Sequence, residues 1–177
     1  MQPDAAETSA LTLLQQWDFV EDADGPEAFI WHLWLQELRR HVIGGRLGFD
    51  VSDELLFDHV LSSMGRAELE EVATQSFRAA VRRAVTLQGD DPTRWEWGRW
   101  HRMTVYHPVG ESVSALGWLM NVGDWAIPGS GETPLAAGFQ RSSGLVNHGA
   151  AWRIVVDMAT GTGQDVLLPG NSGHVLS

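Results

Sequence analysis

Through the first half of the chain, apolar residues recur three and four positions apart; in the second half the spacing falls to two. The first period is that of a helix with one buried face, the second that of a half-buried strand. Leu11 and Leu14 follow Asp4 and Glu7, whose spacing predicts a capping box. Ile30, Leu33, Trp34 and Leu38 predict a second helix, with Pro26 in its first turn. The acidic loop Glu21 to Asp24 and the pair Gly44-Gly45 are breaks on either side of it. Ser52 is placed to cap a short helix carrying Leu55, Leu56, Val60 and Leu61. After Gly65 comes the clearest stripe, Leu69, Val72, Ala73, Phe77, Ala80, Val81 and Ala84, with Glu70, Glu71, Arg78 and Arg82 elsewhere. Such a stripe predicts packing on the rest of the same chain rather than a partner-binding face.

Gly89-Asp90-Asp91-Pro92 ends the helical half. Met103, Val105 and His107 alternate with Thr104 and Tyr106, which predicts a strand; Trp118 to Val122 and Leu145 to His148 are further short candidates. Trp152, Ile154, Val156 and Met158 alternate with Arg153, Val155 and Asp157. Thr160-Gly161-Thr162-Gly163 then supplies a hairpin turn, and Pro169-Gly170-Asn171-Ser172-Gly173 stops the strand that follows. The expectation is an α+β arrangement: a helical lobe over residues 1–88 and an antiparallel, loop-rich strand region over 89–177.

Composition narrows the partners. At 177 residues the chain is about one domain, long enough to bury a core. Nine tryptophans point first to packing, since each buries a large surface. A net charge of −11 argues against nucleic acid or an anionic membrane as partner. Without cysteine there is neither disulfide nor thiolate chemistry. No apolar run is long enough to span a membrane, and Met1-Gln2-Pro3-Asp4 does not open a signal peptide.

Candidate chemistry is sparse. His32, His41 and His59 lack helical i, i+4 pairing, and His101, His107, His148 and His174 show no zinc-ligand spacing. Gly129-Ser130-Gly131 and Asn171-Ser172-Gly173 have small neighbours but no nucleophile elbow. A triad of Ser172, His148 and Asp157 can be drawn, but nothing in the spacing singles it out. With no lysine, a phosphate-binding P-loop is excluded. Arg153 and Asp157 share a strand face, four apart, and are expected to meet separate structural partners.

A pattern does emerge from Trp95-Glu96-Trp97-Gly98-Arg99-Trp100-His101. It resembles the Trp-x-Trp-Gly-x-x-His element of the penicillin acylase family, N-terminal-nucleophile hydrolases of linear amides. Leu13-Leu14-Gln15-Gln16-Trp17-Asp18 is similar to the family's Leu-x-x-Trp-Asp-Gly, with Phe19 in place of the glycine. His107-Pro108-Val109-Gly110, the stretch Gly149 to Asp157, and Leu168 to Gly173 resemble further family elements in the same order.

The resemblance implies an αββα sandwich, of which this chain is the C-terminal part of a β subunit cut short at both ends. It implies hydrolysis of acyl amides of β-lactams, homoserine lactones or lipopeptides by a serine freed at a new N-terminus, whose own amine acts as base. The Ser-Asn-x-x-Trp type of sequence around that serine does not occur here, and Asn121, Asn147 and Asn171 match no oxyanion motif. No catalytic, cofactor-binding or metal residue carries over, and the family's calcium site lies outside the matched region. Trp95, Trp97, His101, Arg153 and Asp157 are then scaffold residues. The implied partners are the α subunit, the N-terminal part of the β subunit and a small amide substrate; the implied compartment is periplasmic or secreted. Alone, the chain is expected to be inactive. A non-catalytic binding module derived from the same lobe is the alternative, and a small hydrolase using Ser172 or Ser130 is a third.

Overall fold

The capping box forms at the start of the first helix. Asp4 accepts from the Glu7 backbone N–H at 2.7 Å and Glu7 Oε2 accepts from the Asp4 N–H at 3.3 Å, opening α1 over Ala5–Gln16. The structure is a computed structural model and describes residues 4–44 and 54–167. It has two compact units, Met1–Trp97 and Gly98–Ser177, and its mixture of helices with short antiparallel strands makes it α+β.

In the first unit, α2 spans Glu27–Arg39 and passes into a π-helical turn, Arg40–Gly44; α3 spans Glu54–Ser63 and α4 spans Arg66–Gln88. Pro26 sits at the N-cap of α2, where its missing N–H is no loss. Ser52 lies outside the described residues. The long stripe packs inward, on α2. The Trp34 indole N–H donates to the Ala73 carbonyl (3.2 Å) and to Ser76 Oγ (3.1 Å), and its ring meets Phe77 edge-on. Ala80, Val81 and Ala84 are buried, as are Phe29, Ile30 and Leu33 on α2, the helix against which α4 packs. A second cluster gathers Val42, Ile43 and Phe57, with Leu38 and Val60 against it. Glu7, largely buried, also pairs with Arg78 at 3.3 Å, so the cap of α1 is tied to α4.

In the second unit, after the single helical turn α5 (Trp97–Trp100), β1 spans Arg102–Val105, β2 Val122–Ala126, β3 Ala137–Phe139, β4 Val146–Gly149, β5 Trp152–Asp157 and β6 Thr162–Leu167. Among the described residues they form three two-stranded antiparallel ladders, β1 with β2, β3 with β4, and β5 with β6. Two expectations are corrected here. The first strand stops at Val105, and His107 instead caps α6 (Pro108–Ser112), its Nδ1 accepting from the Val109 N–H at 3.1 Å. Proline fixes φ for a first helical turn, and that outweighs a two-residue alternation. Trp118 belongs to α7 (Ser114–Met120), and the strand begins only at Val122. A run this short and apolar fits one helical turn as well as a strand. The three-residue β3 went unforeseen, because Ala137-Gly138-Phe139 carries little strand propensity.

The β5–β6 hairpin matches its sequence pattern closely. Its register runs without a slip from Trp152↔Leu167 to Asp157↔Thr162. Gly161 turns the chain at φ 68°, and its N–H donates to the Asp157 carbonyl at 2.9 Å. Apolar side chains stand exposed on both faces: Ile154 and Val156 on one, Val155, 76% exposed, on the other. A strand apolar on both faces is the pattern of a sheet covered on both sides.

Candidate functional site

The motif residues of the first unit form one buried cluster. The Trp95 indole N–H donates to the Gly89 carbonyl at 2.7 Å, and its ring meets Phe29 edge-on. Two residues on, the Trp97 backbone N–H donates to the Gly25 carbonyl at 2.9 Å, and its ring stacks on His32 with centroids 4.7 Å apart. His32 Nε2 lies 2.9 Å from Glu21 Oε1. Between the tryptophans, the Gln88 side-chain amide pairs with both backbone groups of Glu96, each at 2.9 Å. The cluster therefore pins the end of α4, the start of α2 and the acidic loop before it. Both tryptophan rings are buried, so neither offers a face for ligand stacking.

His101 serves the second unit in the same way. It is fully buried, with Nδ1 2.6 Å from the Ile127 carbonyl and Nε2 2.9 Å from the Ala137 carbonyl. The Ile127 N–H donates back to the His101 carbonyl at 3.1 Å, and Phe139 lies edge-on to the ring. With both ring nitrogens against main-chain oxygens, the imidazole ties the residue after β2 to β3 rather than facing a substrate.

Arg153 and Asp157 do find separate partners. Arg153 Nη2 donates to the Leu135 carbonyl at 2.9 Å. Asp157 accepts from the Ala159 N–H at 2.8 Å and from the Thr160 hydroxyl at 2.9 Å, closing its own hairpin turn. The Ala159 N–H, then the Thr160 hydroxyl, hold its carboxyl below the usual carboxylate range. A group whose folded pKa is depressed adds stability above its unfolded pKa, and that stability is lost as pH falls through the folded value. Asp124, on β2, is shifted in the same direction, first by its hydrogen bond from Arg102. Acidification below about pH 4 is therefore expected to destabilise this unit. Asp157→Asn, which keeps a turn acceptor but cannot titrate, should remove part of that slope in pH-dependent unfolding midpoints; an unchanged slope would contradict the assignment.

Among the described residues, the serine and histidine candidates do not come together. Ser130 is buried, and among the described residues no hydrogen bond reaches its Oγ, while its backbone closes a loop with Thr133. His148 Nδ1 lies 2.8 Å from Asn147 Oδ1, while the Asp157 carboxylate accepts from Ala159 and Thr160. Ser172 and His174 lie outside the described residues. No group of three or more His, Asp or Glu residues among the described ones is placed to hold a metal ion. No described helix is long and apolar enough to cross a membrane. Sequence reasoning missed a cavity of about 560 Å³ in the second unit, walled by Met103, Trp125, Ile127, Leu135 and Val146 with Arg153 at its edge. Its residues come from five strands and the loops between them, so no local motif announces it.

Residues 1–177 match the penicillin amidase family, and the chain belongs to it. No curated protein matches the chain significantly.

The one departure noted in the family's Leu-x-x-Trp-Asp-Gly element leaves a mark. Phe19, standing at the glycine position, has φ 66°, the left-handed region that glycine occupies without cost. Asp18 Oδ1 accepts from the Val20 N–H at 2.9 Å and the Trp17 indole donates to the Val20 carbonyl at 2.8 Å, which hold the turn in place. Phe19 is 81% exposed, so its ring returns little burial. Phe19→Gly is expected to raise stability by about 0.5–1 kcal/mol, read as a higher urea midpoint. A lower midpoint would show that the ring contact of Phe19 with Trp17, centroids 5.3 Å apart, outweighs the strain.

Proposed function

We propose that this chain is a structural part of an enzyme that hydrolyses linear amides, bracing an αββα core whose nucleophile is a terminal serine supplied by another segment. Its partners are that segment and an α subunit; its substrates are acyl amides of the kinds cleaved within the family, such as those of β-lactams, homoserine lactones or lipopeptides. The observation that carries the reading is the commitment of the motif side chains. Trp95, Trp97, His101 and Asp157 are held by packing and by hydrogen bonds within the chain, and the β5–β6 hairpin keeps apolar faces open. Side chains engaged in this way support a neighbouring reaction centre; they do not perform acyl transfer.

The test has two arms. The purified chain is assayed on phenylacetyl and fatty-acyl amide reporters, alone and co-expressed with any Gly-Ser-Asn-bearing segment encoded upstream. Turnover only in the co-expressed sample is the expected result. Turnover by the chain alone, lost in Ser130→Ala or Ser172→Ala, would overturn the reading in favour of a small hydrolase. Stop codons on both sides, with a stable monodisperse chain, would instead identify a non-catalytic binding module.

A further inference from the structure

The cavity of the second unit has a composition that its family role does not use. Its walls are apolar: Met103 from β1, Trp125 from β2, Leu135 from the loop before β3, and Val146 from β4. Its volume, about 560 Å³, falls within the range of small-molecule sites, which pair an apolar lining with a few placed polar groups. The charged member of the lining is Arg153, and no acidic side chain contributes to it. The Arg153 guanidinium is held by the single bond from Nη2 to the Leu135 carbonyl, and its Nε, shielded from solvent, has no partner among the described residues. A buried donor left without an acceptor is costly, and a guanidinium cannot relieve that by losing its proton. Elsewhere on the lining, the His148 ring sits against Gly138, where an added Cβ would clash with the imidazole. Glycine at that position leaves the ring its place on the cavity wall.

We propose that this cavity binds an amphipathic monocarboxylate, its hydrocarbon part between Trp125, Met103 and Val146 and its carboxylate on the free donors of Arg153. The carboxylate is the anion whose two oxygens match the guanidinium fork. The apolar walls select against small inorganic anions, and among the described residues no acidic side chain lines the cavity beside the positive charge. The inference is independent of the amidase reading, because it concerns binding at Arg153 and not turnover.

The test uses the full chain at low concentration and two probes of equal shape, octanoate and octanamide, followed by ligand-observed NMR and calorimetry. Octanoate is expected to bind saturably and at least about tenfold more tightly than octanamide. Arg153→Met should abolish that preference while leaving weak apolar binding, and Val146→Trp, which narrows the cavity, should weaken both probes. Equal affinities for acid and amide in the wild-type chain, or no saturable binding, would overturn the proposal whether or not either variant folds. Retention of the acid preference in a folded Arg153→Met variant would equally overturn it. Since neither measurement involves hydrolysis, failure here leaves the amidase reading untouched, and the converse holds.

Discussion

Trp97→Ala is expected to lower the stability of the helical unit by about 3–5 kcal/mol, read as a fall in the urea midpoint with little change in slope. The indole is fully buried, and its loss leaves a cavity that the surrounding helices can fill only in part. It also removes the ring on which His32 stacks, and with it one support of the His32–Glu21 contact across the acidic loop. The backbone bond from Trp97 N–H to Gly25 is available to alanine, so the effect belongs to the side chain. Trp97→Phe should therefore recover most of the loss. Domains of this size are stable by about 5–15 kcal/mol, so the alanine variant should be near its unfolding threshold at 37 °C. A change below about 1 kcal/mol would show that the cluster is not the organising centre of the unit.

His101→Ala is the second large effect, about 3 kcal/mol or more, expected in the strand-bearing unit. Here the loss is mainly polar. Two carbonyls, of Ile127 and Ala137, face the ring nitrogens in a buried site, and alanine offers neither a donor nor a route for water without rearrangement. Leaving buried acceptors unsatisfied costs more than the hydrogen bonds contribute when present. His101→Gln carries an amide donor and should lose less than His101→Ala. His101→Phe, of similar size but without donors, should lose as much as alanine or more. Far-UV circular dichroism with denaturant titration separates the three; equal losses for Gln and Phe would mean that volume, not hydrogen bonding, decides the site.

Much of the helical unit was legible because its signals are local. The Asp4–Glu7 box, Pro26 and the stripe from Leu69 to Ala84 each act within one or two turns, and each forms as its spacing dictates. The β5–β6 hairpin was equally readable, since alternation and a Gly161 turn fix its register. What escaped depends on residues distant in sequence. His101 acquires its role from carbonyls of Ile127 and Ala137, and nothing near His101 encodes them. Short apolar runs misled in the other direction: Trp118 joined a helix, and Pro108 converted the end of a strand pattern into a cap on His107. At Arg153 and Asp157 the sequence implied separate partners but could not name them. One proved to be a loop carbonyl, the other the turn of the same hairpin.

The two-faced hairpin bears on the life of the chain in a cell. Val155, Ile154, Val156 and Met158 stand open to solvent, and among the described residues the outer edges of β5 and β6 pair with no further strand. Exposed apolar strands of this kind are what chaperones hold and quality-control proteases remove. On the reading proposed above, a copy that meets its complement would hide those residues, and a copy that does not would present them. The abundance of the chain would then be set by the supply of its complement rather than by its own rate of synthesis, with the hairpin as the element that reports whether assembly has occurred.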